Sequence, residues 1–510
     1  MLKKVVAVIL SLVIALSAAL SVSAAGAESV VPLVLVSGMG YRALVKDRGT
    51  PSETNAWPPA VNAEELVLPA AALVFSVAAG GGWNAAGDSL IPAAYKILEP
   101  AACDENGDSK YNVTAKLYPR SAAHYPDLLQ AQSSEGGFIH SACDIIGADN
   151  VYFFNYDWRL SPLVNAAYLN DYIQNVLNEK SCAKVDLAAF SMGGIVTLTY
   201  FERYGCEAVN SCLMLCSTYS GVMVAGEMMS NKISIDTQDL LRFPVQNYST
   251  AGTKPLMTAL LGILRLTGIA GALARFANEG IGALLDRVER ELLKELLITM
   301  PGIWAVVRAD AYEQAKERLL DPLKNAKLIE RIDYVQYRVH RQRKQLIQNA
   351  IDSGVKIFFA ANYNLAPAPV YQGPDPHSDS LIETVCASGG ATCAPLGDTL
   401  PAGYIQQKPL DGKNYLSADG VIDASTCDFP DRTWFFKNVR HVDCPYGSQY
   451  NAFLLWLIEQ DAQPTVFSDA AHPQFMGSAD GGMTLSPVNA PEKSDLAAWL
   501  LRLLKFTSAA

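Results

Sequence analysis

The chain has 510 residues, half of them apolar and 18% charged, which excludes an intrinsically disordered or fibrous protein and leaves a packed globular one. At roughly 100–200 residues per domain the length allows several domains, although a large α/β enzyme can carry as much in one fold. With 40 Lys and Arg against 51 Asp and Glu the net charge is −11, which argues against nucleic acid as the main partner and against attachment to an anionic membrane by charge alone.

Residues 1–27 open with Lys3-Lys4, continue as an apolar run from Val5 to about Leu20 and end in small residues around Ala24 to Ala27. That order predicts a secretory signal peptide, with an uncleaved anchor as the alternative because Val5 to Ala25 is just long enough to span a bilayer. A secreted location, or one on the exterior of the cell envelope, follows. Ten cysteines lie beyond this segment, and an oxidising compartment would pair them. Proximity in sequence suggests Cys386 with Cys393, Cys427 with Cys444 and Cys103 with Cys143. No Cys-x-x-Cys pair accompanies a matching histidine set, so zinc is not expected. Asp104, Asn106 and Asp108 are spaced like the start of a calcium loop, but Ser109 and Ala115 stand where the turn glycine and bidentate acid belong, which leaves a polar surface turn. Neither a metal nor a cofactor is expected.

Continuous runs rich in β-branched and aromatic residues predict buried parallel strands at Val31 to Val36, Val151 to Asn155, Val185 to Phe190, Val209 to Cys216 and Val355 to Ala360. Helical patterns lie between them, notably at Leu163 to Asn178 and Gly193 to Tyr204. The expected fold class is therefore α/β, a mostly parallel sheet with helices on both faces. Residues 28–220 form the first part of its core, with a loop-rich segment of loops and short helices from Tyr41 to Leu117. Residues 221–350 lose the strand signal and read as a helical cap or lid, and 351–510 complete the core.

The strongest local signal is Ala189-Phe190-Ser191-Met192-Gly193-Gly194, placed between a buried strand and a helix. It matches the Gly-x-Ser-x-Gly elbow, with Ala189 as the first small residue, that presents a serine hydroxyl on a sharp turn above a sheet. A hydroxyl is a weak nucleophile until an imidazole accepts its proton and a carboxylate orients that imidazole. In this fold acid and histidine follow the serine along the chain. His377 sits in a Pro-rich turn that reads as surface, and His472 follows the last strong apolar segment. His441 is the expected base, with Asp419 of the Asp-Gly turn at 419–420 as the acid and Asp423 as the fallback. Two backbone amides must bind the oxyanion; Met192 follows the nucleophile, and Met39 lies in the glycine-flanked turn Ser37-Gly-Met-Gly40 after the first strand.

Four islands, Val36-Ser-Gly-Met-Gly40, Asn155-Tyr-Asp-Trp-Arg-Leu160, the Ala-Phe-Ser-Met-Gly-Gly elbow and Ala418-Asp-Gly-Val421, together resemble the lecithin:cholesterol acyltransferase family, which includes lysosomal phospholipase A2 and phospholipid:diacylglycerol acyltransferases. The Tyr-Asp-Trp-Arg tetrapeptide is the most specific of them. The resemblance implies an α/β-hydrolase fold with a cap, an acyl-enzyme on Ser191 and lipid or other apolar ester substrates. Through Met300-Pro-Gly-Ile-Trp304 it also implies a substrate contact at Trp304. For Tyr156 to Arg159 a structural role, with the arginine pairing a carboxylate under the loops, is as good a reading as substrate contact. Two other functions remain open on the sequence, a short-chain carboxylesterase with the same triad and a catalytically inactive lipid-binding protein.

Overall fold

The computed structural model describes residues 30–59, 94–130, 134–232, 296–368 and 373–490, with single positions between them at 88, 91, 92, 287, 291 and 371. The expected signal peptide and most of the apolar and leucine-rich helical stretches at 252–297 lie outside these residues. In chain order the strands are β1 (Leu33–Val36), β2 (Leu44–Lys46), β3 (Thr54–Trp57), β4 (Val113–Ala115), β5 (Val151–Phe154), β6 (Val185–Phe190) and β7 (Val209–Leu215). They continue as β8 (Lys356–Tyr363), β9 (Thr392–Cys393), β10 (Ile422–Asp423), β11 (Thr433–Lys437), β12 (Phe475–Gly477) and β13 (Ser486–Pro487).

Eight strands form the main sheet in the order β5-β1-β6-β7-β8-β11-β12-β13. Every neighbouring pair is parallel except β12 with β13. Every residue of β1, β5 and β6 is buried, which is why these strands are unbroken apolar runs rather than alternating ones. The chain leaves β1 for the edge strand β5, returns to β6 on the other side of β1, and then steps away through β7, β8 and β11. Its direction of travel reverses between β1 and β6, so the connections leaving the C-terminal ends of these two strands diverge and open a crevice.

Helices cover the sheet in two layers. One holds α1 (Ser134–Ile146) and the other holds α2 (Pro162–Lys180) packed on α3 (Gly193–Tyr204). Helix α2 starts where Ser161 accepts the Leu163 N–H with Pro162 in the first turn, and it ends on Ser181 at φ 51°. Helices α4 (Met223–Met229) and α5 (Ala309–Leu319) pack together, while α6 (Ala326–Tyr334) leads through a π-helical turn at Val335–His340 into α7 (Arg343–Asp352). That turn and α7 lie against α3, so the later part of the segment expected as a cap forms part of the covering layer of the sheet. Helix α8 (Gln449–Glu459) closes the first layer beside α1. Among the described residues no helix is long and apolar enough to cross a membrane.

Two sequence expectations change here. The stretch from Tyr41 to Leu117, expected as loops and short helices, carries the antiparallel sheet β3-β2-β4. All ten cysteines are free in this structure, those of the expected pairs among them. Cys427 has Cys393 as its electrostatic neighbour, Cys216 has Cys444, and Cys386 Sγ accepts a hydrogen bond from Arg308 at 3.5 Å. The Asp104 turn is a local one, in which Asp104 Oδ1 accepts from the Asn106 and Asp108 amides while Asp108 pairs with Arg331 at 2.7 Å.

The Tyr-Asp-Trp-Arg segment supplies a structural pin. Arg159 is fully buried and donates from Nε and Nη2 to the two Asp157 carboxylate oxygens at 2.9 and 2.5 Å. Its remaining donors reach the Ala101 carbonyl at 2.8 Å and Ser109 Oγ at 3.0 Å, tying the 99–110 loop to the end of β5. The Arg159 carbonyl accepts the Gly302 N–H at 2.9 Å, and a Cβ on Gly302 would lie 1.8 Å from the Trp158 carbonyl oxygen, so only glycine fits that approach. Replacing Arg159 by Met leaves the Asp157 carboxylate buried and unpaired; we expect a loss of about 3–5 kcal/mol in denaturant unfolding. A loss below about 1 kcal/mol, the level of an exposed pair, would contradict the pin.

Candidate active site

Ser191 ends β6 on a left-handed backbone, φ 53°, before α3 begins at Gly193. The turn is held on both sides. The Ser191 N–H donates to the Leu215 carbonyl of β7 at 3.0 Å, and the Ser191 carbonyl accepts from Gly194 and Thr218 amides at 3.1 and 3.0 Å. The two glycines after it are sterically required. A Cβ on Gly193 would lie 2.4 Å from the Val36 carbonyl oxygen, and one on Gly194 would lie 1.6 Å from Ser217 Oγ. Helix α3 therefore starts in contact with the end of β1, and Ser191 sits beside the turn that follows β1. Ser191 is 6% exposed, and among the described residues its hydroxyl has no hydrogen-bond partner.

The Ser37-Gly38-Met39 turn lies directly opposite. A Cβ on Gly38 would meet Ser191 Cβ at 3.0 Å. The Gly38 amide donates to Glu135 Oε1 at 2.6 Å and is not available to a ligand. Among the described residues the Met39 and Met192 amides have no hydrogen-bond acceptor. Met192 occupies the N-cap position of α3, where orphan N–H groups and the helix dipole favour negative charge.

His441 follows β11 and is bound to an acid, though not the expected one. Its Nδ1 meets Asp379 Oδ2 at 2.7 Å, and its backbone N–H donates to the Asp379 carbonyl at 2.7 Å. Asp379 Oδ1 accepts from the Leu381 and Ile382 amides at 2.9 and 2.6 Å, so the carboxylate is fixed within its own turn. Both side chains are buried, at 5% and 2% exposure. The His441 ring stacks at 5.0 Å on Phe190, the residue before Ser191, which brings the imidazole to the elbow. With Nδ1 committed to Asp379, Nε2 is the nitrogen left for proton transfer.

Asp419 lies on the same long connection between β8 and β11 but faces elsewhere. Its Oδ2 accepts from Lys437 Nζ at 2.7 Å and Tyr363 OH at 3.1 Å, forming a partly buried ion pair rather than a partner for His441. Asp423 accepts from Ser425 and Gln407 amides and from Tyr404 OH, all within its own loop region. His377, expected at the surface, is 1% exposed beside Tyr363; burial pulls its pKa down to about 4, and among the described residues neither ring nitrogen has a hydrogen-bond partner. The contact of His441 with Asp379 has no signature in the sequence, because Asp379 lies in His377-Ser-Asp-Ser with no glycine turn to mark it, whereas Asp419 precedes a glycine. Trp304, expected to touch substrate, is fully buried, donates its indole N–H to the Ile298 carbonyl at 2.7 Å and packs edge-on against Tyr312.

Cys216 Sγ, an Asp379 oxygen and a His441 nitrogen lie within 4.8 Å of one another. A metal bound among them would compete directly with the His441–Asp379 hydrogen bond.

A mostly parallel sheet with this strand order, and a sharp turn carrying Ser191 between β6 and α3, has the arrangement of the α/β-hydrolase fold. The family model of lecithin:cholesterol acyltransferase matches residues 145–244, from the end of α1 past β7, and over that stretch the chain resembles the family as its motifs imply. The match supports a lipid acyl hydrolase or acyltransferase. No curated protein matches the chain. Among solved structures, one titled "The crystal structure of Tle4-Tli4 complex" is similar at 11% identity and a TM-score of 0.31, covering 70% of this chain and 89% of that one.

A direct check on the acid is the proton NMR resonance of the His441 Nδ1–H. Its downfield signal should vanish in Asp379→Asn and persist in Asp419→Asn. The reverse pattern would return Asp419 to the histidine.

Proposed function

We propose that the protein is an exported serine acylhydrolase or O-acyltransferase acting on lipid or other apolar esters, with Ser191 as nucleophile, His441 as general base and acid, and Asp379 as the orienting carboxylate. The observation that carries this reading is the 2.7 Å His441–Asp379 hydrogen bond held against the residue next to Ser191 on the elbow. Ser191 Oγ attacks the ester carbonyl while His441 Nε2 accepts its proton, and Asp379 stabilises the imidazolium. The tetrahedral oxyanion is met by the Met39 and Met192 amides, which have no protein acceptor among the described residues. The imidazolium returns its proton to the leaving alcohol, which departs and leaves an acyl ester on Ser191. Water, activated by the same imidazole, releases the acid; an alcohol in its place gives a new ester. Hydrolysis is the default outcome, since water needs no binding site of its own. The lipid preference is supported by the family match, and export by the order of charged, apolar and small residues at the N-terminus.

The test joins labelling to kinetics. A fluorophosphonate probe should label the wild type and fail to label Ser191→Ala. Asp379→Asn should lower kcat by about 10⁴-fold, as expected when the orienting acid of a triad is lost. Asp419→Asn should cost less than about tenfold, because its carboxylate meets Lys437 and Tyr363. Activity confined to acetate and butyrate esters would remove the lipid reading, and no labelling of the wild type would remove the enzyme altogether.

A further inference from the structure

Glu135 is a buried carboxyl that the proposed mechanism does not use. It lies in the first turn of α1 at 1% exposure, and both of its oxygens face the turn after β1. Oε1 accepts the Gly38 N–H at 2.6 Å, and Oε2 is 3.1 Å from Ser37 Oγ, which itself lies 3.2 Å from the Gly38 carbonyl. A Cβ on Gly38 would be 3.0 Å from Ser191 Cβ and 3.3 Å from Glu135 Oε1, so carboxyl, turn and nucleophile share one small volume. Gly38 has no side chain to restrict its dihedrals, and the direction of the next amide, that of Met39, depends on how Gly38 is held. The tether to Glu135 fixes the peptide plane on the N-terminal side of Gly38.

We propose that Glu135 is a positioning residue that locks the Ser37–Met39 turn so that the Met39 amide faces the developing oxyanion; the inference rests on the acyl-transfer reading above. Its protonation state matters to the same function. Burial pushes the Glu135 pKa up to about 8, against the opposing pull of the Gly38 and Ser37 hydrogen bonds and of the Arg42 cation. The other titratable groups that face it are neutral in this range. Tyr41 is raised to about 12, Tyr156 of the segment after β5 is raised well above its usual value, and the Cys444 thiol of the histidine loop is also pushed up by burial. Below about pH 8 the acid is uncharged, its proton lies on the Oε2 contact with Ser37 Oγ, and the Ser37 hydroxyl turns to the Gly38 carbonyl. As pH rises through that value a carboxylate appears beside the place where the oxyanion forms. Like charges in a site shielded from water repel strongly, so the rate falls.

The experiment measures kcat and KM for hydrolysis of a p-nitrophenyl ester by the purified full chain from pH 6 to 10, for wild type, Glu135→Gln, Glu135→Ala and Ser191→Ala, with thermal unfolding of each. Wild-type kcat should fall above about pH 8, the value to which Glu135 is raised. Glu135→Gln keeps an acceptor for Gly38 and a donor for Ser37, so it should hold kcat within about threefold of wild type at pH 7 and lose the alkaline fall. Glu135→Ala should lower kcat by about 10–100-fold with KM within about threefold, because the donor is misaligned only for the transition state. An alkaline fall that persists in Glu135→Gln, or an unchanged kcat in folded Glu135→Ala, overturns the inference while the mechanism stands. Activity that survives in Ser191→Ala overturns the mechanism itself. Should Glu135→Ala fail to fold, the pH profile of Glu135→Gln decides alone.

Discussion

The start of α3 approaches the end of β1 so closely that residue 193 has no room for a side chain, and the proposed chemistry depends on that approach. Strands β1 and β6 are paired in parallel with Val36 opposite Ala189, so their C-terminal ends reach the crevice together. One end delivers the amide-bearing turn and the other delivers the serine. Because the sheet changes direction between these two strands, the connections leaving their C-terminal ends diverge. The small residue at 189 fits the same constraint, since it is fully buried within this pairing.

The acid illustrates what sequence patterns can and cannot locate. Parallel strands announce themselves as unbroken apolar runs, and β6 and α3 have the bounds that those runs and the following glycines imply. The elbow is equally legible, because steric demands at 193 and 194 leave glycine as the one residue that fits. The orienting carboxylate faces no comparable demand. It can sit anywhere on the connection from β8 to β11, which spans more than sixty residues and holds several aspartates. The Asp-Gly turn at 419 carries a recognisable pattern for a local reason, the positive φ of Gly420, and that pattern says nothing about which side chain meets the imidazole. Asp379 is selected by a tertiary fact, the docking of the 377–383 turn on the loop after β11.

Burial of polar groups was the other feature hidden in the sequence. A histidine beside prolines reads as surface, yet His377 lies inside the fold near Asp419, Lys437 and Tyr363. A carboxylate partner for Arg159 is expected from its sequence motif, but that the partner is Asp157 and that the guanidinium also reaches Ala101 and Ser109 cannot be read from spacing. Short strands such as β12 and β13 carry too few residues for any periodicity to register. The small sheet β3-β2-β4 escaped for the same reason.

Helix α1 links parts of the site that lie far apart in the chain. Its first two residues hold opposite sides of the crevice: the Ser134 amide donates to the Val442 carbonyl next to His441 at 2.9 Å, and Glu135 grips the turn at Gly38. The imidazole loop and the amide turn thus share one rigid support. A shift of α1 would therefore carry both loops in the same direction, and a change in their separation would require distortion where the helix begins.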